Sequence, residues 1–184
     1  HSLDDLEGWA RTYFSDIKNR NLGRTVHDPE VFTKKETTRI VQIDPVKDIR
    51  DLQLFFPISG TRDMYQSKPG RQMGFILGHE GKGSLLSFLK EKGWATSLSA
   101  GAGSDTKEYG RASVKIGLTE QGLKDYEEVL MATVDYIRLM KNAGYQEHVF
   151  NELKTMAELE YVYGAKGEGM WRATQLANEA RMYP

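Results

Sequence analysis

Residues 110–118, GRASVKIGL, set Ala112, Val114, Ile116 and Leu118 at alternate positions against polar neighbours, and this period of two constrains the fold more than any other feature. Successive side chains of a strand point to opposite faces, so the segment needs a sheet with one face covered and the other wet. RDLQLFFPISG, residues 50–60, repeats the pattern, with Leu52, Leu54, Phe56 and Ile58 on one side. TTRIVQID, residues 37–44, precedes it across a short turn around Pro45 and reads as its antiparallel neighbour. WATSLSAG, residues 94–101, is a run of small residues bracketed by bulkier ones and reads as a fourth strand. AGSDTKEYG, between this run and GRASVKIGL, is an exposed loop or hairpin end.

Helices must supply the cover. SLDDLEGWARTYFSDI has a capping serine, acids in its first turn and Leu6, Trp9, Ala10, Tyr13 and Ile17 at helical spacing, which predicts a helix of about 14 residues. Ser67 caps the next, with Pro69 in its first turn and Met73, Ile76 and Leu77 inward, until Gly78 and Gly81 interrupt it. Another starts at Ser84, packs Leu85, Leu86 and Leu89, and stops at Gly93. Thr119 caps the longest, whose stripe Leu123, Leu130, Val134 and Ile137 runs to Asn142–Gly144. Two more follow, from Gln146 to Tyr161 and over GMWRATQLANEARMYP up to its final Tyr-Pro. The order predicts an α+β fold, a two-layer sandwich of an antiparallel sheet with helices packed on one face.

The connection NRNLGRTVHDPEVFTKKE has no periodicity and carries Gly23, Asp28 and Pro29 as breakers. Following one isolated helix, it marks a boundary: residues 1–20 belong to a preceding unit, 21–35 are a linker and 36–184 form the main domain. Charge is nearly balanced, with 25 Lys+Arg against 26 Asp+Glu, so no overall field draws the chain to nucleic acid or an anionic membrane. No apolar run approaches a membrane span. The chain has no cysteine, which excludes disulfides and thiolate metal sites and suits a cytoplasmic as well as a periplasmic or secreted setting.

LGHEGKGSLLSFLKEKGW, residues 77–94, has the look of a phosphate loop, with Gly78 and Gly83 at the spacing of G-x-x-x-x-G-K-[S/T]. Lys82, however, precedes the second glycine, whereas the phosphate-binding lysine must extend from the helix start. The four histidines, His1, His27, His79 and His148, are scattered, and neither H-E-x-x-H nor H-x-x-E-H occurs. His148 and Glu152, one helical turn apart, are best explained as a solvated pair. There is no G-x-S-x-G elbow, so nucleophilic catalysis has no support. The aromatic residues Trp9, Tyr13, Trp94, Tyr136, Phe150, Tyr161 and Trp171 fall on apolar stripes and read as core. Adjacent residues on a helix diverge by about 100°, so His79 and Glu80 do not serve one atom, and His79 reads as structural. Glu80, beside the next helix start, is a candidate binding carboxylate. WATSLSAG leaves its backbone approachable, which suits addition of an extended peptide. It equally suits a strand kept small to fit under the helix at 84–92.

FILGHEGKGSLLSFLKEKGWATSLSAG resembles the second domain of the pitrilysin and insulysin zinc metallopeptidases, the inverted-motif family. SLDDLEGWARTYFSDIKN resembles the end of that family's first, zinc-bearing domain, and LTEQGLKDYEEVLMATVDYIRLMKNAG its long second-domain helix, with Ala180 and Tyr183-Pro184 agreeing near the end. The resemblance implies a metallopeptidase/processing-peptidase-like domain, truncated at its C-terminus, that helps enclose the substrate chamber without catalytic residues. Zinc would belong to the parent enzyme's missing catalytic domain, and this chain alone would be inactive. It further implies an exosite for a peptide's amino terminus, formed by Gly78 and Glu80 with Leu98, Ala100 and Gly101 lending the strand edge. The partners implied are a peptide substrate and the remaining domains of the parent. Where some members carry histidines one and two turns before the glycine, this chain has Phe75 and Arg71, and Arg71 stands to oppose an ammonium. Ala100 replaces a glycine of some relatives. The alternative is a structural, non-peptidase relative, such as a core subunit of a processing or respiratory complex.

Overall fold

The structure is a computed structural model of the 184-residue chain and describes all residues but 24, 27–31, 105, 166 and 183–184, with the side chains at 104, 181 and 182 also left aside. His27, Asp28, Pro29 and the Tyr183-Pro184 pair lie outside the described residues. Helix α1 (Leu3–Phe14) and the short α2 (Lys34–Thr37) precede strand β1 (Asp51–Ser59). Helices α3 (Pro69–Leu77) and α4 (Leu85–Glu91) lead to strands β2 (Ala95–Ser104) and β3 (Tyr109–Leu118). Helices α5 (Glu120–Lys124), α6 (Tyr126–Ala143), α7 (Glu147–Tyr163) and α8 (Gly169–Met182) complete the order. The sheet is antiparallel, ordered β1-β3-β2.

In β3 the alternation holds along the whole strand: Ala112, Val114, Ile116 and Leu118 are buried, while Arg111 and Lys115 face solvent. The register sets Leu54 opposite Val114 and Ile116 opposite Leu98, so one apolar face runs across all three strands. Leu77 of α3, Leu85, Leu86 and Leu89 of α4 and Val129 of α6 cover it. Helices therefore pack on one face of an antiparallel sheet, the α+β sandwich expected.

Residues 37–44 do not form a strand. Ile40, Val41 and Ile43 are 70%, 75% and 79% exposed, and β1 pairs with β3 instead. Apolar residues at 40, 41 and 43 fall on both sides of an extended chain, so no single face gains from burial there. Ser67 is not the cap of α3: Lys68 holds that position in a left-handed conformation (φ 46°), and the Ser67 hydroxyl donates to Met64 O. The helix expected from Thr119 is two. Thr119 Oγ1 accepts the Gly122 N–H at 2.9 Å and caps α5, then the chain breaks at Asp125. The Asp125 carboxylate accepts from Trp94 Nε1 at 2.9 Å and Gln121 Nε2 at 2.7 Å, and this tertiary anchor holds the break.

Of the seven aromatics read as core, Trp94 and Tyr136 pack against it. Trp9, Tyr13, Phe150, Tyr161 and Trp171 are exposed, because no described element of the chain lies over the apolar stripes of α1, the outer part of α7 or α8. A stripe at helical spacing reports that a helix has an apolar face, not that the chain supplies its cover.

Candidate peptide-binding cleft

Helix α3 carries glycine at 70 and 74, and Gly78 follows as its C-terminal cap, three positions four residues apart. Residues at this spacing share a face. That face lies on β2: a Cβ built on Gly70 would stand 2.7 Å from Ala102 O, and one on Gly74 would stand 3.2 Å from both Ala100 O and Gly101 Cα. Helix backbone thus rests on strand backbone. The small residues of β2 serve this contact with α3 rather than fitting chiefly under α4, as the sequence had suggested.

Gly78 closes α3 by donating its N–H to Gly74 O at 2.8 Å. The chain then turns through residues 79–83, and Gly83 has a left-handed φ of 84° that an L side chain would strain. Ser84, 3% exposed, caps α4 by accepting the Ser87 N–H at 3.1 Å. With that cap engaged and α4 only 7 residues long, the turn has no phosphate-cradle character. Within the turn the Gly81 N–H donates to His79 Nδ1 at 3.1 Å, and the imidazole lies edge-on to the Phe75 ring at 6.1 Å between centroids.

An open cleft of about 420 Å³ lies between these parts. Gly74 and Phe75 of α3, the turn residues Gly78, His79 and Glu80, and Leu98, Ser99 and Ala100 of β2 line it. Gly78, Glu80, Leu98 and Ala100 of the sequence-derived set therefore border one space. Gly101 sits one residue along β2, beneath Gly74. Glu80 is exposed, and among the described residues no ion pair engages it. Arg71 points its guanidinium to Glu160 of α7 at 3.5 Å and is not part of the lining. Sequence reasoning missed Gly74 and Ser99 and gave His79 only a structural use. The four-residue glycine spacing was the signal for Gly74.

Among the described residues no group of three or more His, Cys, Asp or Glu side chains is placed to hold a metal. His148 and Glu152 are both exposed on α7. These side chains do not fit a zinc site. No helix among the described residues is long and apolar enough to cross a membrane.

The family profile described as "Peptidase M16 inactive domain" matches residues 2–157. The chain belongs to the M16 peptidase family. This M16 domain is 33% identical over 175 residues to the A-factor-processing enzyme of Saccharomyces cerevisiae, covering 95% of this chain and 17% of that protein. It is 36% identical over 183 residues to "Putative zinc protease mug138" of Schizosaccharomyces pombe, covering 99% of the chain and 19% of the relative. Human insulin-degrading enzyme is 33% identical over 183 residues, 100% of this chain and 18% of that one. The M16 domain thus spans less than a fifth of the length of these relatives. The crystal structure of pitrilysin superposes with a TM-score of 0.74 at 19% identity, over 100% of this chain and 20% of that chain, a likeness of fold.

Proposed function

We propose that the chain is a non-catalytic portion of a zinc metalloendopeptidase that degrades peptides, and that its cleft is an exosite for the amino terminus of the substrate. Residues 1–20 are the last helix of a preceding catalytic domain, 21–35 the linker and 36–184 the inactive second domain. The zinc and the residues that use it belong to the rest of the parent. The exposed apolar stripe of α1, with Leu6, Trp9 and Tyr13, suits burial against that catalytic domain.

The observation that carries the reading is the meeting of the Glu80 carboxylate, which has no ion pair among the described residues, with the small-residue backbone of β2 across one cleft. A carboxylate complements an ammonium, and β2 is an outer strand whose backbone can take an extended segment by strand addition. The names of the relatives, an A-factor-processing and an insulin-degrading enzyme, support a peptide as the ligand class. Arg71, which stood to oppose an ammonium, points its guanidinium to Glu160 of α7 instead.

The test is to titrate the 184-residue chain with an unstructured glycine-serine-alanine peptide and its N-acetylated form. An exposed ion pair contributes about 0–1 kcal/mol, so the free amine should bind up to about fivefold more tightly, and Glu80→Gln should erase the difference. Equal binding of the two forms by the wild type would refute the exosite.

A further inference from the structure

His79 takes no part in the exosite as proposed, yet in the chain it lies between two of its residues. It lines the cleft between Gly78 and Glu80, and Nδ1 accepts the Gly81 N–H at 3.1 Å. The imidazole folds back so closely over Gly81 that a Cβ there would stand 2.4 Å from Cε1 and 3.1 Å from Nδ1. The residue flanking Glu80 on one side is therefore tied to the residue flanking it on the other. Phe75, edge-on to the same ring, fixes the imidazole from the α3 side.

We infer that His79 is a positioning residue for amine binding: through Nδ1 it holds the 79–81 turn in the shape that presents Glu80 to the cleft. The inference rests on the exosite reading above. A nitrogen that accepts an N–H must itself be unprotonated. The tie therefore belongs to the neutral ring and is absent from the imidazolium. An imidazolium would also place a second cation beside the ammonium. Glu80 is the other titratable side chain in the lining; the β2 side contributes Leu98, Ser99 and Ala100, none titratable. Lys82 lies farther along the turn, and on α3 and α7 the charged pair is Arg71 with Glu160.

The experiment compares wild type, Glu80→Gln, His79→Ala and His79→Asn, the asparagine carrying an amide oxygen near the place of Nδ1 without a titrating proton. Binding of the glycine-serine-alanine peptide and its acetylated form is measured at about pH 7.5, with exchange of the Gly81 amide followed by NMR. One hydrogen bond of this kind corresponds to about a fivefold effect. His79→Ala should lose most of the preference for the free amine and speed Gly81 exchange, while His79→Asn keeps the preference and the slow exchange. A wild type indifferent to acetylation overturns the exosite and this inference with it. A wild type that prefers the free amine in a Glu80-dependent way, with His79→Ala unchanged in preference and in Gly81 exchange, overturns this inference alone.

Discussion

Replacing Gly74 by alanine tests the contact on which the cleft is built. In a helix free of neighbours the change is stabilising by about 0.8–1.0 kcal/mol, because alanine loses less backbone freedom on folding. Here the new methyl would stand 3.2 Å from Ala100 O and from Gly101 Cα, both backbone atoms of a paired strand that cannot rotate away. Helix α3 must lift by a few tenths of an ångström, and forcing an extra methyl into a packed contact costs about 1–3 kcal/mol. The difference is a net loss of about 0–2 kcal/mol, a fall in Tm of up to about 8 °C for a chain of this size. Thermal unfolding followed by circular dichroism gives the number. Gly8→Ala in α1 is the matched control, since a Cβ at Gly8 meets nothing within 4 Å and should only raise helicity. A Tm for Gly74→Ala about 3 °C above wild type would refute the close seating of α3 on β2, and with it the geometry of the cleft.

Leu89, 0% exposed under the sheet, should cost about 2–5 kcal/mol on truncation to alanine, read as a fall in the urea midpoint without a change in slope. Asp5 accepts the Ser2 N–H at 2.8 Å and shares a capping box with the Ser2 hydroxyl, and the backbone bond, then the side-chain bond, hold its carboxyl below the ordinary aspartate range. A depressed carboxyl stabilises its helix above the unfolded value and loses that as pH falls through the folded one, so NMR titration should give Asp5 a midpoint below the ordinary aspartate range, with α1 fraying in acid before the core unfolds.

The layers of the sandwich were legible because burial imposes a period, and a period survives without knowledge of partners. Which strand pairs with which did not follow, since alternation reports a face and is silent on the neighbour across the ladder. Residues 37–44 show the consequence: just upstream of β1 and rich in Ile and Val, they stay exposed and outside the sheet while the more distant β3 takes the pairing. The break at Asp125 was hidden for a similar reason. The helical pattern continues across it, and what fixes it is the indole N–H of Trp94, far away along the chain.

At the cleft, Glu80 stood out in the sequence because Gly78 and Gly81 break the helix and leave a carboxylate beside the start of the next one, but the space it borders was not legible. That space follows from a backbone-to-backbone approach, which side-chain patterning does not describe. Gly74 and Gly78 hold α3 and its cap near β2 and also leave those positions of the cleft without side chains, so the polar side chains lining it are His79, Glu80 and Ser99. Such a surface can distinguish an amine from its acetylated form through one carboxylate and can match an extended main chain, yet it has little with which to read the identity of side chains. On the exosite reading, binding should therefore follow the charge of the peptide's amino end and vary little with the residues behind it. A panel of peptides sharing a free amine but differing in sequence should bind within about threefold of one another, the spread of exposed apolar contacts worth well under 1 kcal/mol each. A panel spread over orders of magnitude would show that something other than this cleft does the selecting.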